Sequence, residues 1–347
     1  MQIAFLNNNK YAVINTAKCM VAVTIALFMG DYFSIVFGGQ AKSSWMAITV
    51  LVVMSTQPNL GGVLNKAAMR FLGTFIGASI SVLLLLSLTG IYQIILVMPF
   101  LAISVYIAGS SSKFSYAGIL AGITMTIILF GQNANIDYAL YRALDISAGI
   151  GISLFVNRFI FPIRASNRLI QSYSKTTYEI RDFFNILFIE RTEKHVKLQQ
   201  SIFHEFSKHI SLLGELKYEQ SSKNVKEYDK MGLYIRRLYR YMIVMYEYME
   251  VSVSQDAVPV KEDNEVFEMF KKHVVESLTN IATNMKDGKR ISYQNISCFK
   301  KTILPLVNSL GSSSINNDTF IFYTKMFFLS LEKLAHEYNY ILHLSKD

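Results

Sequence analysis

The sequence predicts an all-α protein: a polytopic membrane bundle of about six transmembrane helices in residues 1–165, followed by a cytoplasmic helical-bundle domain in residues 166–347. Charge partition is the first observation behind this. Up to Ala165 the chain holds five Lys, four Arg and three Asp with neither Glu nor His, whereas from Ser166 it holds 25 basic and 22 acidic residues and all six His. The second is an uncharged run of 42 residues from Phe71 to Ser112, too long for one span of about 20 residues and suited to two. The third is a change of rhythm after Pro162, where continuous apolar segments give way to amphipathic periods broken by polar turns.

Spans are expected near Tyr11–Phe33, Trp45–Gln57, Phe71–Leu88, Ile91–Gly109, Phe114–Phe130 and Tyr141–Phe161, with Thr89-Gly90 turning the chain inside the long uncharged run. The apolar opening is read as an uncleaved first span, because no small-residue cleavage pattern follows it. The second span is short, and Gly38 and Gly39 before it permit a broken helix of the kind that marks binding sites in transporters. Orientation follows from basic residues at span ends. With both termini in the cytoplasm, Lys10, Lys66, Arg70, Lys113, Arg158, Arg164 and Arg168 fall inside and only Lys42 and Arg142 outside.

Beyond the membrane half, helices are expected at Ala165–Glu190, Glu193–Lys217, Tyr228–Val253, Asn264–Lys286, Tyr293–Leu310 and Asp318–Leu344, with Asp318 as the cap of the last. The breaks at Ser254–Asp263, Asp287-Gly288 and Gly311–Asn317 carry turn residues. Five tyrosines between Tyr234 and Tyr248 spread around one helix and predict packing rather than a ligand face.

The net charge of +9 is concentrated in the membrane half, with no Lys/Arg stripe, so nucleic acid is not an expected partner. Cys19 and Cys298 lie in different environments and suggest no disulfide framework. The histidines lack metal-ligand spacing, and no P-loop, dinucleotide fingerprint or nucleophile elbow occurs. No metal, cofactor or catalytic residue is therefore expected, and the chain is read as a non-enzyme.

The residues that carry chemistry are the few polar ones in the spans. Arg70, Gly73, Thr74, Gly77 and Ser81 share one helix face. That stripe either lets a neighbouring helix approach while Arg70 snorkels, or places a guanidinium at the inner mouth of an anion path. Arg142 and Asp145 lie one turn apart near the outer boundary and are expected to pair, with proton coupling through Asp145 as the sharper alternative. Lys18, two turns into the first span, either snorkels or adds a second cation to the vestibule of Arg70.

Trp45-Met46-Ala47, Thr49-Val50, Gln57-Pro58, Gly61-Gly62, Lys66, Arg70-Phe71-Leu72-Gly73-Thr74 and Gly77-Ala78, continued by Arg142-Ala143-Leu144-Asp145, Gly149, Asn157 and Pro162, resemble the fusaric acid resistance and aromatic acid exporter family. The resemblance covers roughly residues 10 to 165 and weakens after Ser166. In layout the chain is also similar to plant aluminium-activated malate channels. The resemblance implies a six-helix membrane domain and a cytoplasmic helical domain in a bacterial inner membrane. It also implies export of small organic anions, aromatic carboxylic acids above all. Exporter-type relatives often carry two such halves in tandem, which implies a homodimer or other homo-oligomer here. The site residues expected on this reading are Lys18, Arg70, Gly73, Thr74, Gly77 and Arg142 along the pathway and Asp145 for proton coupling. A passive anion channel and a membrane-anchored interaction protein acting through its second domain are the alternatives.

Overall fold

The structure, a computed structural model, describes residues 10–36, 43–55, 59–87, 90–111, 113–131, 135–190, 195–254, 265–292 and 315–344. Every regular element among them is helical. The chain divides into two compact units, Met1–Arg164 and Ala165–Asp347.

The first unit contains α1 (Lys10–Val36), α2 (Ser43–Met54), α3 (Leu60–Ser87), α4 (Ile91–Ser110), α5 (Ser115–Phe130) and α6 (Ile136–Phe159). Four of these, α1, α3, α4 and α6, are each long and apolar enough to cross a membrane; α2 and α5 are shorter apolar helices packed among them. With its 12 residues, α2 rises about 18 Å, well short of a hydrocarbon core of about 30 Å. Residues 37–42, where the sequence permits a break, lie outside the described residues.

Two boundaries differ from expectation. α3 begins at Leu60 rather than Phe71, and α6 at Ile136 rather than Tyr141. The third span was expected to start just after Arg70 and the sixth just before Arg142, yet a helix continues through the headgroup region because its backbone bonds are satisfied internally at any depth. The 28 residues of α3 reach about 42 Å, enough to cover both regions.

α2 packs against α1 and α6, α3 against α5 and α6, α4 against α5, and α1 against α6, so α6 touches three neighbours. The closest approach runs along the small-residue stripe of α3. Gly73, Thr74, Gly77, Ala78 and Ser81 are buried there, while Phe71, Leu72, Phe75 and Ile76 face outward. A Cβ on Gly73 would lie 2.4 Å from the Ala117 carbonyl oxygen, and one on Gly77 2.6 Å from that of Ala121. Glycine is required because α5 backbone occupies the space of the missing side chain. At the α3–α4 turn, Gly90 has φ +66°, a left-handed conformation that glycine adopts without strain.

The second unit contains α7 (Ala165–Asn185, ending in a π turn, Ile186–Glu190), α8 (His195–Leu216), α9 (Ser222–Ser254), α10 (Glu265–Asp287) and α11 (Ile315–Leu344). α7 packs on α8 and α10, and α9 on α11. Their apolar faces enclose one core that includes Tyr173, Phe183, Phe184, Phe270, Phe327 and Leu331. The tyrosines of α9 join that packing, with Tyr239 stacked on Phe183 and Tyr241 tilted against Tyr323. α11 begins three residues before Asp318, which is therefore inside the helix rather than its cap. The helix expected at Tyr293–Leu310 and the break near Pro259 lie outside the described residues.

Between α7 and α8 sits a buried polar cluster. Ser172 Oγ donates to Glu205 Oε2 at 2.5 Å, Lys175 Nζ donates to Glu205 Oε1 at 2.7 Å, and Lys208 Nζ lies 3.0 Å from Oε2. Burial acts to raise the Glu205 carboxyl, but the hydrogen bonds from Lys175, Ser172 and Lys208 outweigh it and lower it to about 2. His209, one turn beyond Glu205 and fully buried, has Nε2 3.1 Å from Thr176 Oγ1 and its ring edge-on to Tyr173. Burial lowers it to about 4.

Two outcomes follow for stability. Gly77→Leu forces a side chain into α5 backbone and is expected to destabilise by at least about 1–3 kcal/mol. Gly151→Leu, where a Cβ meets nothing within 4 Å, is expected to leave the melting temperature in detergent nearly unchanged. The second outcome concerns pH. A histidine held neutral in the fold binds a proton more readily when unfolded, so its contribution is intact above about pH 6.5 and lost as the pH falls toward 4. The Glu205 contribution is intact above about pH 4.5 and lost as the pH falls toward 2. Calorimetry of the full chain is expected to show a cost of about 3 kcal/mol between pH 6.5 and 4 that is absent in His209→Leu.

Candidate functional site

Among the described residues, the buried ionisable side chains of the first unit's helices, thiols and phenols aside, are Lys18, Arg70, Arg142 and Asp145. Three are cationic and one is anionic. Burial of unbalanced charge in an apolar bundle is expensive, so the partners of each residue decide what it can do.

Arg70, on α3, is 5% exposed. Its Nη2 donates to Thr49 Oγ1 on α2 at 3.2 Å and its Nη1 to the Tyr116 hydroxyl on α5 at 3.4 Å. Thr49 can accept because its own proton goes to the Trp45 carbonyl oxygen one turn earlier, at 2.8 Å. This is not a snorkelling arginine: the guanidinium is tied across three helices, and Lys66 one turn before it lies 5.4 Å from the Tyr116 ring centroid.

Arg142, on α6, is 3% exposed, and its Cζ stands 3.9 Å from the centroid of the Trp45 ring. A guanidinium over an indole face is a favourable cation–π arrangement, strongest where water is excluded. The approach depends on Gly149, two turns along α6, where a Cβ would lie 2.8 Å from both the Met46 carbonyl oxygen and Thr49 Cβ. Glycine there lets α6 press on α2 and carries Arg142 to Trp45. Both guanidiniums therefore meet α2 on consecutive turns, one at Thr49 and one at Trp45.

The hydrogen bonding is incomplete on the donor side. Arg70 Nε and Arg142 Nε and Nη1 are buried with no acceptor. An N–H group of a buried cation that lacks an acceptor can donate to an anion, and a carboxylate has the geometry to accept from it. Asp145 lies one turn past Arg142 and is equally buried, offsetting part of this charge.

Lys18 does not join Arg70 in a common vestibule. It is 1% exposed and donates to Asn157 Oδ1 near the end of α6 at 2.5 Å. Asn15, three residues earlier on α1, donates to the Met54 carbonyl oxygen at 3.0 Å. Of the other expected pathway residues, Gly73 and Gly77 face the α5 backbone, and Thr74 is buried on the same stripe.

Residues 14–271 match the fusaric acid resistance protein family. The chain belongs to that family. The match contains every residue of the site and runs well past 165 into α10, so the family likeness embraces most of the second unit and is wider than the residue motifs indicate. Among curated relatives, the chain is 27% identical over 157 residues to "Inner membrane protein YeeA" of Escherichia coli (strain K12), which is 45% of this chain and 42% of that protein. It is 26% identical over 184 residues to "Multidrug resistance protein MdtO" of the same organism, which is 50% of this chain and 25% of that protein. The matched segment thus spans less than half the length of either relative. Family membership and the apolar helices together make this a multi-pass membrane protein.

Trp45, Thr49, Tyr116 and Asn157 were not singled out as site residues in the sequence. The available signal was a Trp and a Thr four apart in an otherwise apolar short helix, a spacing that puts both on one face. Thr49→Val keeps the shape and removes Arg70's acceptor, so it is expected to destabilise by about 1–3 kcal/mol, while Thr49→Ser stays near wild type. Melting temperatures of the purified variants check this.

Proposed function

We propose that the protein exports small organic anions, aromatic carboxylates foremost, across the bacterial inner membrane, working as a homodimer or other homo-oligomer with both termini in the cytoplasm. One observation carries the reading: two buried guanidiniums, Arg70 from α3 and Arg142 from α6, meet adjacent turns of α2 and keep N–H donors without acceptors. An anion at this point accepts those donors and offsets their charge. An aromatic anion also has apolar neighbours to meet, since Trp45 and Tyr116 are the groups that Arg70 and Arg142 already touch.

Supporting observations come from the relatives. One is named for the inner membrane and the other for multidrug resistance, and each is similar to about half of this chain. The distribution of Lys and Arg at helix ends supports the orientation. The site acts by binding and release, and the reading requires no bond-making group.

Purified protein in liposomes tests the reading through uptake and exchange of radiolabelled benzoate. Arg70→Gln and Arg142→Gln each remove one charged donor group worth roughly 1.5–3 kcal/mol, so half-saturation is expected to rise about ten- to hundredfold. Wild-type kinetics in both variants would exclude the guanidiniums from the anion's path. Steady benzoate current with saturating voltage dependence and no uphill accumulation would assign a channel instead.

A further inference from the structure

Lys18 has chemistry that anion binding at α2 does not use. It is an ammonium with 1% exposure, and its hydrogen bond goes to a neutral amide, Asn157 Oδ1. The orientation of that amide is fixed by its partner, because an ammonium needs an acceptor. Asn157 Nδ2 is left as a buried donor with no acceptor, and Asn15 Oδ1 as a buried acceptor with no donor. The Asn15 amide is likewise fixed by its bond to the Met54 carbonyl oxygen.

A carboxylate partner would hold Lys18 in its charged form. An amide does not. Its oxygen accepts from –NH3+, and after a half-turn about the Cβ–Cγ bond its Nδ2–H donates to the lone pair of –NH2. The unpartnered Nδ2 of Asn157 is the group that the neutral amine requires. Both protonation states therefore have a partner in the same place, which makes this lysine able to cycle where a salt-bridged one could not.

The surroundings contain little that would bias the cycle. α1 packs against α2 and α6. α2 has no ionisable side chain. On α6, Arg158 is exposed, and Asp145 lies 12 residues before Asn157, about 18 Å along the axis, with Arg142, Tyr141, Tyr138 and Asp137 farther still. On α1 itself the groups with described side chains are Cys19, a buried thiol, together with Tyr11 and the exposed Asp31 and Tyr32.

We propose that Lys18, with Asn157 as its two-way partner, is the proton-carrying group of the transport cycle, losing its proton to water on one side of the membrane and regaining it from the other. The inference rests on the export reading above, and it moves coupling from Asp145, which stays a fixed counter-charge to the arginines.

The test uses full-length protein in liposomes with two readouts, exchange of radiolabelled benzoate at equal pH and concentration, and uphill accumulation driven by a pH gradient. Lys18→Met, Lys18→Arg and Asn157→Asp are each expected to retain exchange and lose accumulation at neutral pH, the last because its carboxylate pins the ammonium. Wild-type accumulation in either lysine variant would overturn the proposal. Loss of exchange in both lysine variants would overturn it too, by placing Lys18 in the anion's path. Wild-type protein that exchanges benzoate without gradient-driven accumulation would also overturn it while leaving export intact, whereas absence of exchange in the wild type would remove the export reading on which it depends.

Discussion

A buried positive charge without an equal buried negative one is the constraint around which the membrane unit is organised. Among the buried groups of the described helices Lys18, Arg70 and Arg142 outnumber Asp145, so at least two of these cations must be held by means other than ion pairing. The bundle uses a threonine hydroxyl, a phenol, an amide oxygen and an indole face. Each is neutral, and each lowers the cost of burial without cancelling the charge. What remains is a favourable potential for anions in a low-dielectric setting, where Coulomb terms are larger than in water. Packing follows from the same requirement. Gly149 brings α6 onto α2 so that Arg142 reaches Trp45, and Gly73 and Gly77 bring α5 onto α3 so that Arg70 reaches Tyr116.

The short helix α2 is the common element. Its apolar residues, Met46, Val50 and Met54 among them, pack with α1 and α6, while Trp45 and Thr49 receive the two guanidiniums. A threonine in a helix returns its proton to the carbonyl four residues back. Here that leaves an oxygen lone pair free for Arg70 and ties the acceptor to the turn that carries Trp45.

Much of this architecture was legible in the sequence because membrane solvent imposes a coarse rule: long uncharged runs are spans. The Phe71–Ser112 run made two consecutive helices visible, which are α3 and α4. Starts were harder. Lys66 and Arg70 marked a change in polarity rather than an end of helix, and α3 continues ten residues earlier than the change. Partners were harder still. Lys18 was open to two readings, a snorkelling residue or a second cation beside Arg70, because Asn157 is 139 positions away and nothing local predicts their meeting. The stripe of Gly73, Thr74 and Gly77 was visible as a face, but whether it met a helix or a ligand depended on α5. In the second unit, amphipathic period gave the helices, while the Glu205–His209 cluster depended on the register of α7 against α8.

The chain's single tryptophan is Trp45, which stands against Arg142 and one turn from the acceptor of Arg70. Its fluorescence therefore reports on the proposed anion position without an added label. Titration of the purified full-length protein with benzoate is predicted to give a saturable change in Trp45 emission whose midpoint moves to about ten- to hundredfold higher benzoate in Arg70→Gln. A change that is linear in benzoate, or one with the same midpoint in Arg70→Gln, would contradict the account of two guanidiniums sharing one anion.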